Sequence, residues 1–299
     1  MLTGQSGALR DMAPQKRAQT SAPLYTLQDI EADRIGDYPD GLQDICDGRV
    51  DGFVIHNAFS REEVERVAGR LTRRGPFPDA PFGNILIYGP ALYVSESDLE
   101  RYRREAVEFR RFCAETFRGG RDFEARIVEI LAAMGSGRDV GLPAAPDGQP
   151  YTPATIRVLE VGQDMGWHFE NQFLHATVGY RHLSTLINHS DHLSYFVVLE
   201  TPKDGGDLVL YDLKWHQTEW LDKEKGGVQR SGTAGGRPIA EVMRSCATVS
   251  FRPPPGALVV FDGGNILHRV SAVEEAGRRV TIGGFIAFSK GRESVYYWS

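Results

Sequence analysis

Four residues of this chain have the types and spacing to assemble a metal centre with a cosubstrate beside it: His168, Glu170, His268 and Arg279. Two imidazoles and one carboxylate can fill one face of an octahedral divalent ion and leave the other face open. That donor set is the 2-His-1-carboxylate facial triad of non-haem Fe(II) sites that use O2. The first two donors stand in Gly166-Trp167-His168-Phe169-Glu170, and the third ends Asp262-Gly263-Gly264-Asn265-Ile266-Leu267-His268. Arg279 follows shortly, in Arg278-Arg279. Its guanidinium can grip a carboxylate through two parallel hydrogen bonds, so it suits the far end of a diacid that chelates the metal with its near end.

A His-x-Asp/Glu pair alone is weak. With eight histidines and forty acids in 299 residues, about one match is expected by chance. The chain has two, His168-Phe169-Glu170 and His189-Ser190-Asp191, and context separates them. The first follows a predicted strand, Thr155 to Val161, and a glycine turn at Gly162. Continued as extended chain, it places His168 and Glu170 on one face, because side chains alternate with period two. The second lies in the polar run Asn188 to His192 and reads as a hydrated turn with a capping role. His268 comes after another strand and turn, and its ring must stay neutral to bind metal.

Arg279 opens the last long strand, where Arg279, Thr281, Gly283 and Phe285 share one face and Val280, Ile282, Gly284 and Ile286 the other. An arginine and a threonine turned into a core need a buried anion to offset their desolvation. A hairpin from His268 to Arg279, at about 3.3 Å per residue, spans roughly a five-carbon diacid. Arg278 points away and reads as a surface charge. Thr155 and Arg157 share a face with Leu159 and are further cosubstrate candidates. Arg157 either meets the metal-proximal end or pairs with an acid in the core.

These side chains need a scaffold of many short strands. Strands are predicted at Thr155 to Val161, Leu193 to Glu200, Asp207 to Tyr211, Ala247 to Phe251, Ala257 to Phe261, His268 to Val273 and Arg279 to Phe288. Gly- and Pro-rich turns separate them, which predicts a β-sandwich or barrel. The first half is mainly helical. Ser60 with Glu63 and Ser97 with Glu100 form capping boxes, and a third helix runs from Asp122 to Met134 with Gly135 as its stop. Gly52 to Ile55 reads as a short strand. The helices are expected to cover one sheet from outside, within a single domain over residues 24–299: a helical support region 24–150 and a core 151–299. Residues 1–23 read as a disordered leader. Residues 217–244, charged and glycine-rich, form a candidate lid.

Composition is that of an ordinary globular chain, with 41% hydrophobic and 25% charged residues. The net charge of −6 argues against general nucleic-acid binding. Three scattered cysteines, Cys46, Cys113 and Cys246, carry no zinc-finger spacing and suit a cytoplasmic protein. No apolar run has the length of a membrane span.

The motifs, in order, resemble those of the Fe(II)/2-oxoglutarate-dependent oxygenases: Gly162, His168-x-Glu170, Gly205-Gly206-Asp207-Leu208, Pro255-Gly256-Ala257-Leu258, His268 and Gly277-Arg278-Arg279. A closer resemblance is to the halogenases of free-standing hapalindole-type alkaloids. It rests on Tyr151 to Arg157, Leu193-Ser194-Tyr195-Phe196 and the ending from Ile282 to Ser299, and it reaches upstream to about Tyr38. The resemblance implies a mainly β fold with flanking helices, a double-stranded β-helix (jelly roll), and the use of Fe(II), 2-oxoglutarate and O2. Ser194 matches a serine that helps orient the iron-bound oxygen in the relatives, and Phe173 matches a position lining the alkaloid pocket. Trp167 and Asn171, which flank the ligands, are further candidates for that pocket.

One departure sets the expected chemistry. The halogenases have glycine at the position of Glu170, which leaves room for chloride. With a carboxylate there, the implied outcome is hydroxylation of a small, natural-product-like molecule, with 2-oxoglutarate converted to succinate and CO2. Desaturation, cyclisation, epimerisation and halogenation are the alternatives within the class. A non-catalytic, cupin-like binder of metal or ligand is the alternative outside it.

Overall fold

Alternation along the strand Arg279–Phe288 sorts the chain into layers. All ten residues are buried, so both faces of the strand are covered, each by something different. Val280, Ile282, Ile286 and Phe288 join Tyr195, Val197, Leu199, Leu258 and Val260 in one apolar cluster with Phe109, Phe112, Phe123, Ile127 and Ile130. These last five come from the helices Leu99–Thr116 and Phe123–Met134. The opposite face points into a sandwich, towards a second sheet.

A computed structural model of the chain describes residues 23–74, 85–95, 98–176, 179–220 and 232–299. The large sheet has nine strands, in the order Leu27–Glu31, Gly52–His56, Leu258–Phe261, Leu193–Glu200, Arg279–Phe288, Ser294–Trp298 and Asp139–Gly141. Thr155–Leu159 pairs with the first half of Arg279–Phe288, and Leu86–Tyr88 pairs with Thr155–Leu159. The facing sheet has four strands, Thr248–Phe251, Leu208–Lys214, Ile266–Val270 and Met165–His168. Phe196, Val198, Val259 and Phe261 from the large sheet meet Leu208, Leu210 and Ile266 from the small one. This is the expected jelly roll, with the helices outside the large sheet.

The helix Arg61–Arg74 shows why that outer layer forms. Ser60 and Glu63 exchange both hydrogen bonds of the capping box, at 2.7 and 3.2 Å. Val64, Val67, Ala68 and Leu71 recur at helical spacing and are buried. Each fully buried apolar side chain of this size contributes about 1.5–3 kcal/mol. The next helix begins at Leu99 with Asp98 accepting from the Arg101 amide, and the expected cap Ser97 lies outside the described residues. The third helix is found at Phe123–Met134, with Asp122 as its cap.

Two expectations need amendment. Residues 24–150 also supply four strands to the large sheet, so strand and helix are interleaved along the chain. Arg278 is not a solvated charge. It reaches under the helix Arg61–Arg74, with Nε 2.9 Å from Glu200 Oε2 and Nη2 on Thr72 Oγ1, because that face of the strand is covered.

The expected leader lies outside the described residues except for its end. Of the stretch 217–244, the described parts form a three-stranded antiparallel unit, Thr218–Trp220, Gly232–Ala234 and Arg237–Pro238, followed by the helix Ile239–Val242. Among the described residues no helix is long and apolar enough to cross a membrane, and the three cysteines are free thiols.

Candidate metal centre and cosubstrate pocket

His168 and His268 are directly opposed across the antiparallel pair of Met165–His168 and Ile266–Val270, with ring centroids 4.3 Å apart. Each ring is held the same way. His168 Nδ1 lies 2.8 Å from the carbonyl of Gly166, and His268 Nδ1 lies 2.9 Å from that of Ile266. A carbonyl only accepts, so Nδ1 carries the proton and Nε2 keeps its lone pair. Burial, then the neighbouring His168, lowers the pKa of His268, which favours the neutral form that binds metal.

Glu170 completes the set, by a different route from strand alternation. The strand ends at His168. Glu170 sits in the following turn, its amide donating to Gly263 O at 3.0 Å and its carbonyl accepting from the Phe173 amide at 3.0 Å. Its Oε1 lies 3.7 Å from His168 Nε2 and 3.4 Å from His268 Nε2. One nitrogen or oxygen from each residue lies within 4.8 Å of the others, which fits three ligands around one ion. Burial works to raise the pKa of Glu170, and the protonated form of the two histidines would outweigh it and hold the carboxyl well below its ordinary range. Its Oε2 is buried without a partner.

Ser194, on the large sheet, donates to Glu170 Oε1 at 2.9 Å. Gly263 makes this possible, since a Cβ there would overlap Ser194 Oγ and come within 3.2 Å of Glu170 Cγ. Asn171 bonds Asn265 through Nδ2 at 3.3 Å, tying the ligand turn to the turn before His268. Asp262 closes that second turn through Asn265 Nδ2 at 2.9 Å.

Arg279 faces this centre from the other sheet. The expected hairpin between His268 and Arg279 is absent, because the two strands belong to opposite sheets, so a ligand reaching both would span the sandwich. Arg279 is buried, its Nη1 3.3 Å from Thr281 Oγ1 and its guanidinium 5.2 Å from the Phe196 ring centroid. Burial and the nearby Arg157 push its pKa down to about 10, so it remains cationic at neutral pH. The turn Gly205-Gly206 packs on it. Gly206 has φ +69, and a Cβ there would come within 3.2 Å of Arg279 Cδ. A buried cation beside a hydroxyl, with no acid paired to it among the described residues, fits a carboxylate guest.

Arg157 stands opposite Thr281 in the strand register. The acid partner considered for it is not found among the described residues, and its Nε is buried and unpaired. Thr155 shares that face, but its hydroxyl is taken by Ser299 Oγ at 3.0 Å. Phe173 is buried beside His168, at a centroid distance of 6.1 Å. Trp167 turns to the other face of its strand and packs with Phe169, Trp215 and Trp220, because neighbours in a strand alternate. The second His-x-Asp pair is structural. Asp191 is 1% exposed and bound by Arg292 through Nε at 2.8 Å and Nη2 at 2.5 Å, so that turn is anchored and not merely hydrated.

Sequence reasoning passed over Tyr93 and His192. Tyr93 stacks on Phe173 at 4.6 Å and meets Phe285 edge-on at 6.3 Å. His192 is fully buried between Trp298 and Phe285, with both ring nitrogens unpaired. Neither lies in a motif, and only the folded chain brings them to the centre.

A jelly roll with two histidines and a carboxylate on one side and a buried arginine on the facing sheet is an Fe(II)/2-oxoglutarate oxygenase framework, a class that works with Fe(II), 2-oxoglutarate and O2. Residues 24–299 match the family model of the carrier-protein-independent halogenase WelO5, and the chain belongs to that family. No curated protein matches it.

Solved structures similar to it include an N-substituted L-amino acid dioxygenase from Burkholderia ambifaria, at 12% identity, covering 85% of this chain and 89% of that one, with a TM-score of 0.49. An oxidoreductase of the 2OG-Fe(II) oxygenase family from Burkholderia pseudomallei has 13% identity, covers 92% and 100%, and scores 0.44. A prolyl-4-hydroxylase from Pseudomonas putida has 14% identity, covers 82% and 97%, and scores 0.40.

Proposed function

We propose that this oxygenase hydroxylates an unactivated C–H bond of a small organic molecule, converting 2-oxoglutarate to succinate and CO2. The observation that carries this reading is Glu170 Oε1 between the two histidine Nε2 atoms, held there by Ser194. A carboxylate in that place takes the coordination position that a halide needs.

With Fe(II), 2-oxoglutarate and O2 bound, the metal centre supplies the oxidative decarboxylation and the C–H oxidation. His168, Glu170 and His268 are the residues that hold the metal. Fixed Nδ1–H donors keep both imidazoles in the metal-binding tautomer without reorganisation. Arg279, aided by Thr281, takes the distal carboxylate of 2-oxoglutarate across the sandwich. Phe173 and the apolar inner faces of both sheets keep water away from the reacting bond. A small molecule is the substrate class that suits a site enclosed between two sheets.

Anaerobic Fe(II) protein titrated with 2-oxoglutarate tests the cosubstrate, with a visible charge-transfer band expected. Turnover with a substrate panel in chloride buffer tests the outcome, with succinate and a product bearing one added oxygen and no halogen expected. Absence of Fe(II) binding, or equal turnover by His168→Ala, overturns the reading.

A further inference from the structure

The pocket contains one more cation than the proposed cofactors neutralise. Arg157 and Arg279 lie on one inner face of the large sheet, in neighbouring strands, with Arg157 opposite Thr281 and Arg279 opposite Leu159. They are close enough for Arg157 to lower the pKa of Arg279. Neither pairs with an acid among the described residues, and Arg157 Nε is buried with no partner. Two guanidiniums brought together without counter-ions repel each other and lose hydration. A divalent ion, Glu170, a dianionic cosubstrate and Arg279 neutralise one another. Arg157 is left over.

Its surroundings suit a ligand. The Tyr93 hydroxyl is within electrostatic reach of the Arg157 guanidinium. The Tyr93 ring is fixed by its stack on Phe173, at 4.6 Å, and its edge contact with Phe285, and Phe173 in turn neighbours His168. An apolar wall thus connects this cation to the metal centre.

We propose that Arg157, braced by Tyr93, is a second carboxylate anchor, separate from the Arg279–Thr281 position. The charge balance favours the carboxylate of the organic substrate over the metal-proximal carboxylate of 2-oxoglutarate. The substrate is then a small organic acid whose apolar body lies along Tyr93 and Phe173. This inference rests on the proposed Fe(II)/2-oxoglutarate reading of the site.

Calorimetry on the full chain loaded with Mn(II), which stands in for Fe(II) without turnover, tests it. Phenylacetate and its uncharged analogue phenylacetamide are the probes, each titrated with and without saturating 2-oxoglutarate. The wild type is expected to prefer phenylacetate. Arg157→Gln is expected to weaken phenylacetate by about tenfold to hundredfold and leave phenylacetamide unchanged. Its 2-oxoglutarate affinity should stay within about twofold. Tyr93→Phe keeps the ring stack and removes the brace, so it should weaken phenylacetate severalfold even if Arg157→Gln misfolds.

Loss of 2-oxoglutarate affinity alone in Arg157→Gln assigns the anchor to the cosubstrate and overturns the substrate assignment. Equal binding of acid and amide by the wild type, or unchanged affinities in both variants, overturns the anchor altogether. Failure of the wild type to bind 2-oxoglutarate sinks the proposed function instead, while the probe comparison without cosubstrate still reports on Arg157.

Discussion

Ser194 Oγ donates at 2.9 Å to Glu170 Oε1, the same carboxylate oxygen that faces Nε2 of both His168 and His268. The hydroxyl comes from the large sheet and the histidines from the small one, so one hydrogen bond joins the layers at the metal position. Partners of this kind orient a ligand and typically change metal affinity by about tenfold to hundredfold. Ser194→Ala is expected to weaken Fe(II) binding within that range in chelator competition. Unchanged affinity would mean that the backbone turn alone positions Glu170.

Glu170→Gly removes a ligand and leaves Ser194 facing the opened position. The variant is expected to bind Fe(II) more weakly. Chloride is expected to shift the visible band of its Fe(II)/2-oxoglutarate complex, which the wild type resists. A spectrum indifferent to chloride would count against Glu170 as the residue that excludes halide.

Arg279→Gln keeps a polar side chain but loses the charge and the paired donors. Charge-assisted hydrogen bonds contribute about 1.5–3 kcal/mol. The dissociation constant for 2-oxoglutarate should therefore rise by about tenfold to hundredfold, with metal affinity retained. Equilibrium titration under anaerobic conditions measures both.

His192 makes a pH prediction with a definite sign. Burial pushes its pKa down from 6.5 to about 4. The folded state thus binds fewer protons than the unfolded chain between those values. The stability it contributes is fully present above pH 6.5 and is lost as pH falls towards 4, by about 3 kcal/mol. His192→Phe keeps an aromatic ring between Trp298 and Phe285 and removes the titration. Thermal midpoints measured from pH 7 to 4 should fall less steeply in the variant than in the wild type.

Much of this arrangement was legible because strands impose period two. The inward set Arg279, Thr281, Gly283 and Phe285 followed from alternation, whereas the cover over Arg278 did not, because it comes from a distant helix. His168 and His268 were legible as a candidate donor pair because they sit beside turns at strand ends. Glu170 was grouped with the two histidines by an incomplete argument. Its convergence depends on a turn closed by Gly263, a contact between residues 93 positions apart in the chain. The supposed hairpin at Arg279 failed for a similar reason. Turn spacing suggests that two strands are successive, but not that they share a sheet. Tyr93 and His192 carry no local signal, and aromatic packing from distant segments alone gives them a place.

The division of the site between two sheets has an evolutionary consequence. Glu170, the residue proposed to exclude a halide, lies in a turn beside the small sheet, while Arg279 and Thr281, proposed to hold the cosubstrate, lie on the large one. Glutamate and glycine codons differ by a single base. On the proposed reading, one mutation at position 170 would redirect the reaction while the cosubstrate machinery is inherited intact, so hydroxylating and halogenating descendants of one ancestor would not have to pass through a form that has lost 2-oxoglutarate.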